Sequence, residues 1–291
     1  MAEGKVVTLG VNGILSCLDA ATGNEVWRKD EFPGVVPQFF AAMSPIIDNG
    51  TCIAHLGGKD NGAVMAFDLA SGNVKWKWAG GPAPAGDGPA YASPVLMTVD
   101  GVKQVVAQTE KNTVGLAAAD GKLLWHIPTP PQGRFYNSAT PIIDGLTVIY
   151  TGQGQGTKAV KIEKQNEGFA VKELWSNDQL APQFNSPVLK DGLLFGLSEK
   201  RNLYCINAQT GKTAWTDTNR LSNFGAILDA GSVLLALPEN SGLIAFKPGD
   251  KQYEELARIK VSETPIYATP VVAGNRIFVK DRDAVTLWTV D

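Results

Sequence analysis

The amino-acid sequence predicts an all-β protein, a seven-bladed β-propeller of four-stranded antiparallel blades whose first and last blades are incomplete. The first observation behind this prediction is a repeated motif. The stretch LSCLDAATGNEVW ends at Trp27, and VMAFDLASGNVKW ends at Trp76. Further copies end at Trp125, Trp175 and Trp215, so the tryptophans recur every 40 to 50 residues. A copy without the tryptophan, LIAFKPGDKQYEELA, and a final partial copy, VTLWTVD, bring the number to seven.

The second observation is an element that precedes every motif after the first. It reads SPIID, SPVLM, TPIID, SPVLK, GAILD and TPVVA, beginning at Ser44, Ser93, Thr140, Ser186, Gly225 and Thr269. Between the two elements lie short β-branched runs bounded by Gly, Asn or Asp, so each unit is expected to form four short strands. No segment has the pattern of a helix. All units are assigned to a single domain, 1–291, with blades at 5–30, 44–78, 93–128, 139–177, 186–218, 224–261 and 268–291.

The motif itself explains the turn between the third and fourth strands. Asp19 can accept hydrogen bonds from backbone amides just ahead of it in an Asx-type turn, and Gly23 supplies the positive φ of a tight hairpin. Trp27 lies four residues beyond this glycine, and the same spacing returns in three later copies. A large flat ring at a fixed place suits packing between neighbouring sheets. We therefore interpret the motif as architectural rather than catalytic.

Both ends of the chain lack part of a unit. The opening AEGKVVTLG matches a second strand with no inner strand before it, and VTLWTVD stops at Asp291, aligned with Asp19 and Asp68, before the turn and the outer strand. The expected total is 26 strands, two fewer than seven full blades need. The sequence thus predicts an N-terminally shortened form of a longer parent. The seam between blades seven and one is expected to stay open and to invite a homodimer or the addition of a partner strand.

Composition excludes several classes of partner. The 291 residues are 44% hydrophobic, and the formal charge of −3, without a run of like charges, argues against nucleic acid or a basic membrane-binding face. No apolar run approaches a membrane span, and no signal peptide is recognisable. The chain is therefore expected to be soluble, and a full-length parent to be periplasmic or secreted. Three cysteines without metal or disulfide spacing, Cys17, Cys52 and Cys205, are predicted to be buried free thiols.

The stretches LDAATGNEVW, FDLASGNVKW and INAQTGKTAW also resemble the repeat of the pyrroloquinoline-quinone-like (PQQ-like) propellers. This superfamily includes quinoprotein alcohol dehydrogenases and the propeller lipoprotein of the outer-membrane barrel-assembly machinery, along with many bacterial secreted proteins. The dehydrogenases hold their quinone under an adjacent cysteine pair, and this sequence has no adjacent cysteines. The resemblance therefore implies the fold in a bacterial protein, with no PQQ and no quinone-dependent dehydrogenase activity.

The loops that lead into each first strand, called lead-in loops, lie at one end of a propeller together with the loops between the second and third strands. Binding sites usually gather at this end, the upper face. The lead-in loops carry six aromatic residues, Phe40, Tyr91, Tyr136, Phe184, Phe224 and Tyr267. The rings either plug the channel or bind a ligand. The predicted ligand-binding residues are Tyr91, Arg134, Tyr136, Asn137, Gln183, Asn185, Arg220, Asn223 and Tyr267.

We therefore predict a binding or scaffold protein that holds a small molecule, a peptide or a protein at the upper face. The alternative is a metal-assisted hydrolase of esters, lactones or phosphoesters at the upper end of the central channel. Its divalent cation would be held by Asn137, Asn185, Glu199 and Glu239. No catalytic residue is assigned, because His55 and His126 lie on predicted strands where a Ser-His-Asp arrangement is hard to assemble. Both histidines are expected to be structural.

Overall fold

The computed structural model describes residues 1–59, 61–80, 87–131 and 136–290. These residues form 26 strands in seven antiparallel sheets and no helix, so none of them lies in a helix that could cross a membrane. The first and last sheets have three strands, and the other five have four. The predicted fold class is thus confirmed: the protein is an all-β, seven-bladed β-propeller with incomplete first and last blades.

Within each sheet the strands follow chain order. The first blade contains β1 (Lys5–Leu9), β2 (Leu15–Asp19) and β3 (Glu25–Lys29), and the second contains β4 (Ile46–Asp48), β5 (Thr51–Gly58), β6 (Asn61–Asp68) and β7 (Val74–Trp78). The third contains β8 (Val95–Val99), β9 (Val102–Gln108), β10 (Asn112–Ala117) and β11 (Leu123–Pro128). The fourth contains β12 (Ile142–Asp144), β13 (Thr147–Gly152), β14 (Gly156–Lys164) and β15 (Phe169–Asn177).

The three remaining blades complete the chain. The fifth contains β16 (Val188–Lys190), β17 (Leu193–Leu197), β18 (Leu203–Asn207) and β19 (Thr213–Thr216). The sixth contains β20 (Gly225–Asp229), β21 (Leu234–Pro238), β22 (Gly242–Phe246) and β23 (Glu255–Lys260). The seventh contains β24 (Val271–Ala273), β25 (Arg276–Lys280) and β26 (Val285–Thr289).

The chain divides into two compact units, and the division runs through the fourth blade. Unit 1 comprises Met1–Tyr150 with Val160–Glu173, and unit 2 comprises Thr151–Ala159 with Leu174–Asp291. Within each unit, apolar side chains from neighbouring blades interleave into a buried core. The prediction of one domain over residues 1–291 stays a prediction.

The motif tryptophans link blades at their outer strands. Four of them donate Nε1–H to a backbone carbonyl of the next blade at 2.8 to 3.0 Å, in the pairs Trp27–Leu69, Trp76–Ala118, Trp175–Ala208 and Trp215–Gly249. The rings also cover the turn glycines that follow. A Cβ added to Gly121, for example, would lie 2.5 Å from the ring of Trp76. The packing role predicted for the tryptophans is therefore confirmed.

Gly121 is the position at which this packing can be tested most simply. Its φ of +73° favours glycine, and an added Cβ would also meet the Trp76 ring. We expect Gly121→Ala to lower the free energy of unfolding by about 2 kcal/mol, because strain from the ring adds to the backbone cost. Gly101 is the matched control, since its φ is +76° and an added Cβ has nothing within 4 Å. Gly101→Ala should cost about half as much in urea unfolding, and equal losses would contradict the packing role.

Two blades depart from the tryptophan pattern. Trp125 Nε1 donates to Gln104 Oε1 of its own blade at 2.6 Å. The next hairpin, between β14 and β15, has a longer loop, which is closed by a hydrogen bond from Gln165 N to Gly168 O. It therefore lacks the short turn whose backbone carbonyl accepts the indole hydrogen bond in other blades. In the sixth blade Ala257 pairs with Ala245 where the other blades place the tryptophan.

The smaller motif elements also have the expected roles. Asp19 Oδ1 accepts hydrogen bonds from the amides of Ala21 and Thr22 at 3.1 and 3.0 Å, and Gly23 has a φ of +74°, which confirms the Asx turn.

The SP and TP elements connect inner strands in unit 1. Ser44 N donates to Ser93 Oγ at 2.9 Å, and Ser93 N donates to the Thr140 hydroxyl at 3.1 Å in the same way. The cysteines Cys17, Cys52 and Cys205 are buried free thiols, as predicted.

The register of the last blade corrects one sequence alignment. Val290 N donates to Asn275 O, as Leu69 N donates to Gly50 O in the second blade. The position of Asp19 and Asp68 is therefore held by Thr289, and its assignment to Asp291, which lies outside the described residues, was wrong. A shift of two residues leaves every side chain on the same face of a strand, so the hydrophobic pattern could not reveal it.

Candidate functional site

Three aromatic rings from successive lead-in loops form a cluster in unit 1. The ring centroids of Phe39 and Tyr136 are 5.2 Å apart, those of Tyr91 and Tyr136 are 5.7 Å apart, and those of Phe39 and Tyr91 are 6.2 Å apart. Tyr91 Oη accepts the amide hydrogen of Phe39, and the Tyr136 hydroxyl donates to Gln38 Oε1, each at 3.1 Å. Phe39 is 59% exposed. The cluster is thus fixed by hydrogen bonds and open to solvent.

Phe39 takes the place that the sequence led us to expect for Phe40. Phe40 has a φ of +65°, is exposed, and forms no ring pair within the described residues. Two adjacent phenylalanines in a loop give no pattern from which to choose between them, because side-chain direction there depends on backbone conformation.

A second cluster of three rings lies in unit 2. Phe184 and Phe224 stack face to face, with centroids 4.5 Å apart and an interplanar angle of 5°. Tyr267 meets Phe224 edge-on at 5.3 Å, and its hydroxyl donates to Glu239 Oε1 at 2.9 Å. Ser222 donates to the other carboxylate oxygen at 2.8 Å. The hydrogen bond to Glu239 raises the pKa of the Tyr267 hydroxyl above its usual range, and Tyr267 is 66% exposed.

Two predicted ligand residues instead hold the loops to the blades. Asn137 is buried, and its Nδ2 donates to Thr129 O at 2.8 Å and to Thr109 O at 3.0 Å. Asn185 is buried as well, and it exchanges two hydrogen bonds with the backbone of Leu197. These amides satisfy backbone groups that would otherwise be unpaired.

The other predicted ligand residues have varied surroundings. Arg220 is exposed and Gln183 is half-buried, whereas Arg134 lies outside the described residues. Asn223 is half-buried next to the second cluster, and its Oδ1 is enclosed without a hydrogen-bond partner among the described residues. Ligand contact by the predicted set stays a prediction.

Three of the four predicted metal ligands, Asn137, Asn185 and Glu239, have side chains that are hydrogen-bonded to other protein groups. Asn137 belongs to unit 1, whereas Asn185, Glu199 and Glu239 belong to unit 2. Glu239 is hydrogen-bonded to Ser222 and Tyr267, and Glu199 N donates to Ala181 O. Across the described ranges, no three His, Cys, Asp or Glu side chains form a group that could hold a metal ion. The bound divalent cation stays a prediction, as does the lack of PQQ.

A buried carboxylate, that of Asp87, fixes the lead-in loop of the third blade. Asp87 is 2% exposed and accepts hydrogen bonds from the Thr109 hydroxyl at 2.5 Å, Asn112 Nδ2 at 2.7 Å and Lys111 N at 2.9 Å. All three donors lie at the hairpin between β9 and β10. A single Asp in a Gly- and Pro-rich run carries no sequence signal for this role.

Comparison with known proteins gives consistent results. Residues 1–217 match the family model described as "Outer membrane protein assembly factor BamB". The outer membrane protein assembly factor BamB of Yersinia pestis is 25% identical over 248 residues, which are 81% of this chain and 59% of that protein. The chain thus spans less than two thirds of this curated relative. A quinohemoprotein alcohol dehydrogenase of Comamonas testosteroni is 34% identical over 79 residues, 26% of this chain and 11% of that protein.

Solved structures share the fold. The crystal structure of BamB from Moraxella catarrhalis aligns with a TM-score of 0.74 at 15% identity, covering 99% of this chain and 80% of that one. The quinohemoprotein alcohol dehydrogenase from Comamonas testosteroni aligns with a TM-score of 0.70 at 16% identity, covering 96% and 61%. At these identities the alignments show the fold alone. Together with the sequence matches they confirm the resemblance to PQQ-like propellers.

Proposed function

Because the chain belongs to the family of the outer membrane protein assembly factor BamB, we propose that it is a scaffold that binds a protein partner in outer membrane protein assembly. The observation that carries this proposal is the pair of exposed aromatic clusters, Phe39–Tyr91–Tyr136 and Phe184–Phe224–Tyr267. Such a role agrees with the periplasmic location expected for a full-length parent.

The two clusters have the composition and the rigidity that suit binding of a protein partner. Single exposed apolar residues are ordinary, but three rings grouped together in each unit resemble the aromatic anchors of protein interfaces. Hydrogen bonds from Tyr136 to Gln38 and from Tyr267 to Glu239 fix the tyrosines before any partner arrives. Fixed side chains lose little conformational entropy on binding, so their contact area contributes more to affinity.

Site-specific photocrosslinking tests this proposal. A benzoylphenylalanine placed at Phe39 or at Tyr267 is expected to crosslink to a protein of the outer membrane assembly apparatus in living cells. Leu146 is the control position, because it is exposed in the hairpin between β12 and β13, away from the lead-in loops. Crosslinking to the same protein from Leu146 alone would contradict the choice of surface.

Alanine variants then measure the contribution of the rings. We expect Phe39→Ala and Tyr267→Ala each to weaken binding of the crosslinked partner about tenfold or more, as truncation of aromatic anchors usually does. Leu146→Ala should leave the affinity unchanged. Isothermal titration with the purified partner provides the dissociation constants, and wild-type affinity in both aromatic variants would refute the proposal.

The edges of the incomplete sheets are a further place for a protein partner. In the described residues, β1 and β26 are each the last strand on one side of a three-stranded sheet. Such edges carry backbone groups that can pair with an added strand. The predicted homodimer or strand addition between blades seven and one stays a prediction.

A further inference from the structure

The sixth blade contains an alanine at the position where other blades contain the motif tryptophan. In the second blade Trp76 lies opposite Ala66, and the register shifts at the next residue. In the sixth blade Ala257 lies opposite Ala245, with the same shift at the next residue. Ala257 is therefore the exact structural counterpart of Trp76 in register and in face. At this position the sixth blade presents only a methyl group, where the second blade presents an indole ring.

A cavity of about 500 Å³, open to solvent on the side of β23, occupies the region that the missing ring would fill. It lies between the sixth and seventh blades, both of which belong to unit 2. Its walls are mainly apolar, and they include Ala245, Ala257, Ile259, Val272, Ile277 and Val290. The volume lies within the range of small-molecule binding sites, and the lining matches their usual composition.

Strand register makes the Val290 carbonyl the counterpart of the acceptors that the motif indoles use. The indoles of Trp27 and Trp76 donate to the carbonyls of Leu69 and Ala118. Val290 is the counterpart of Leu69 in the seventh blade, because its amide makes the same bond, to Asn275 O. Val290 lines the cavity. A ring in the cavity could thus donate its N–H to the Val290 carbonyl, as the internal tryptophans do.

We infer that this cavity is a binding site for an indole ring, oriented like the motif tryptophans and donating N–H to Val290 O. Four interfaces between blades of this chain already contain an indole ring that is packed in this way and donates its N–H to a backbone carbonyl. A free indole compound and the tryptophan side chain of a polypeptide present the same chemistry. The inference is independent of the scaffold function, because it does not involve the aromatic clusters.

Calorimetric titration of the wild-type chain with indole is the first test, and we expect saturable binding at one site. Ala257→Trp should fill the cavity from within and weaken indole binding at least about tenfold. Leu256→Trp is the matched control. Its side chain is exposed and is not part of the cavity wall, so indole binding should persist. No saturable binding to the wild type, or equal binding to Ala257→Trp, would overturn the inference.

Two further probes keep the test decisive if Ala257→Trp fails to fold. 1-Methylindole has nearly the same shape but no N–H donor, and it should bind about tenfold more weakly than indole. Equal affinity would refute the bond to Val290 O. N-acetyltryptophanamide distinguishes the two sources: tighter binding than indole supports a polypeptide tryptophan, and weaker binding supports a free indole compound.

Discussion

Replacement of Trp76 by alanine is expected to lower the free energy of unfolding by about 3 to 5 kcal/mol. The side chain is 7% exposed and packs in the core between the second and third blades with Val105 and Leu116. Its Nε1 also donates to Ala118 O at 3.0 Å. The variant therefore leaves a large cavity and an unpaired carbonyl at the same time. Urea unfolding followed by circular dichroism gives the free energies.

A phenylalanine at the same position separates the two contributions. Trp76→Phe keeps most of the buried ring but removes the N–H donor, so it should cost about 1 to 2 kcal/mol. A cost equal to that of Trp76→Ala would show that packing of the ring contributes little. No measurable cost for either variant would contradict the assignment of the motif tryptophans as links between blades.

Acidification is expected to destabilise the protein through His55. This residue is 1% exposed, and neither ring nitrogen has a hydrogen-bond partner among the described residues. Burial lowers the pKa of His55 from 6.5 to about 3. Between these values the unfolded chain binds a proton that the folded chain does not, so the contribution to stability is full above pH 6.5 and is lost as the pH falls toward 3. We expect a loss of about 3 kcal/mol at pH 4.

A comparison of variants isolates this effect from the titration of carboxylates. His55→Leu removes the titrating group from an apolar position, so its stability should fall less steeply between pH 6.5 and pH 4 than that of the wild type. His126→Leu is the matched control for the loss of a histidine, because His126 is exposed on β11. Parallel profiles for the wild type and His55→Leu would show that His55 does not account for the loss.

The repeated motif made the fold predictable in unusual detail. Several copies of one pattern average out local ambiguity, which is why the strands, the Asx turn at Asp19 and the shared spacing of the tryptophans could be derived without coordinates. The register of the last strand could not be derived in this way. Alignments that differ by two residues give a strand the same hydrophobic pattern, and only the backbone bond of Val290 to Asn275 shows that Thr289 holds the position of Asp68.

The candidate site was predictable only in part. The sequence indicated that aromatic residues gather on the lead-in loops, and rings from these loops do form clusters. It could not show that the side chains of Asn137 and Asn185 bond to the backbone. An asparagine in a loop looks the same in the sequence whether its side chain faces a ligand or a backbone carbonyl. The loss of tryptophan at Ala257 was visible in the motif, but the cavity behind it depends on how the seventh blade packs.

The hydrogen bond of Trp125 has a consequence for cooperativity. In an array of repeats, each link between neighbours transmits the stability of one unit to the next. Trp27 and Trp76 transmit it by bonding to the following blade, whereas the indole of Trp125 is bonded to Gln104 and leaves the outer strand β11 without such a link. β11 can therefore separate from the fourth blade without breaking an indole bond between blades. We therefore expect local opening of the outer strands to be coupled more weakly between the third and fourth blades, where only the packing of the Trp125 ring with Val148 and Tyr150 remains, than between the first three blades.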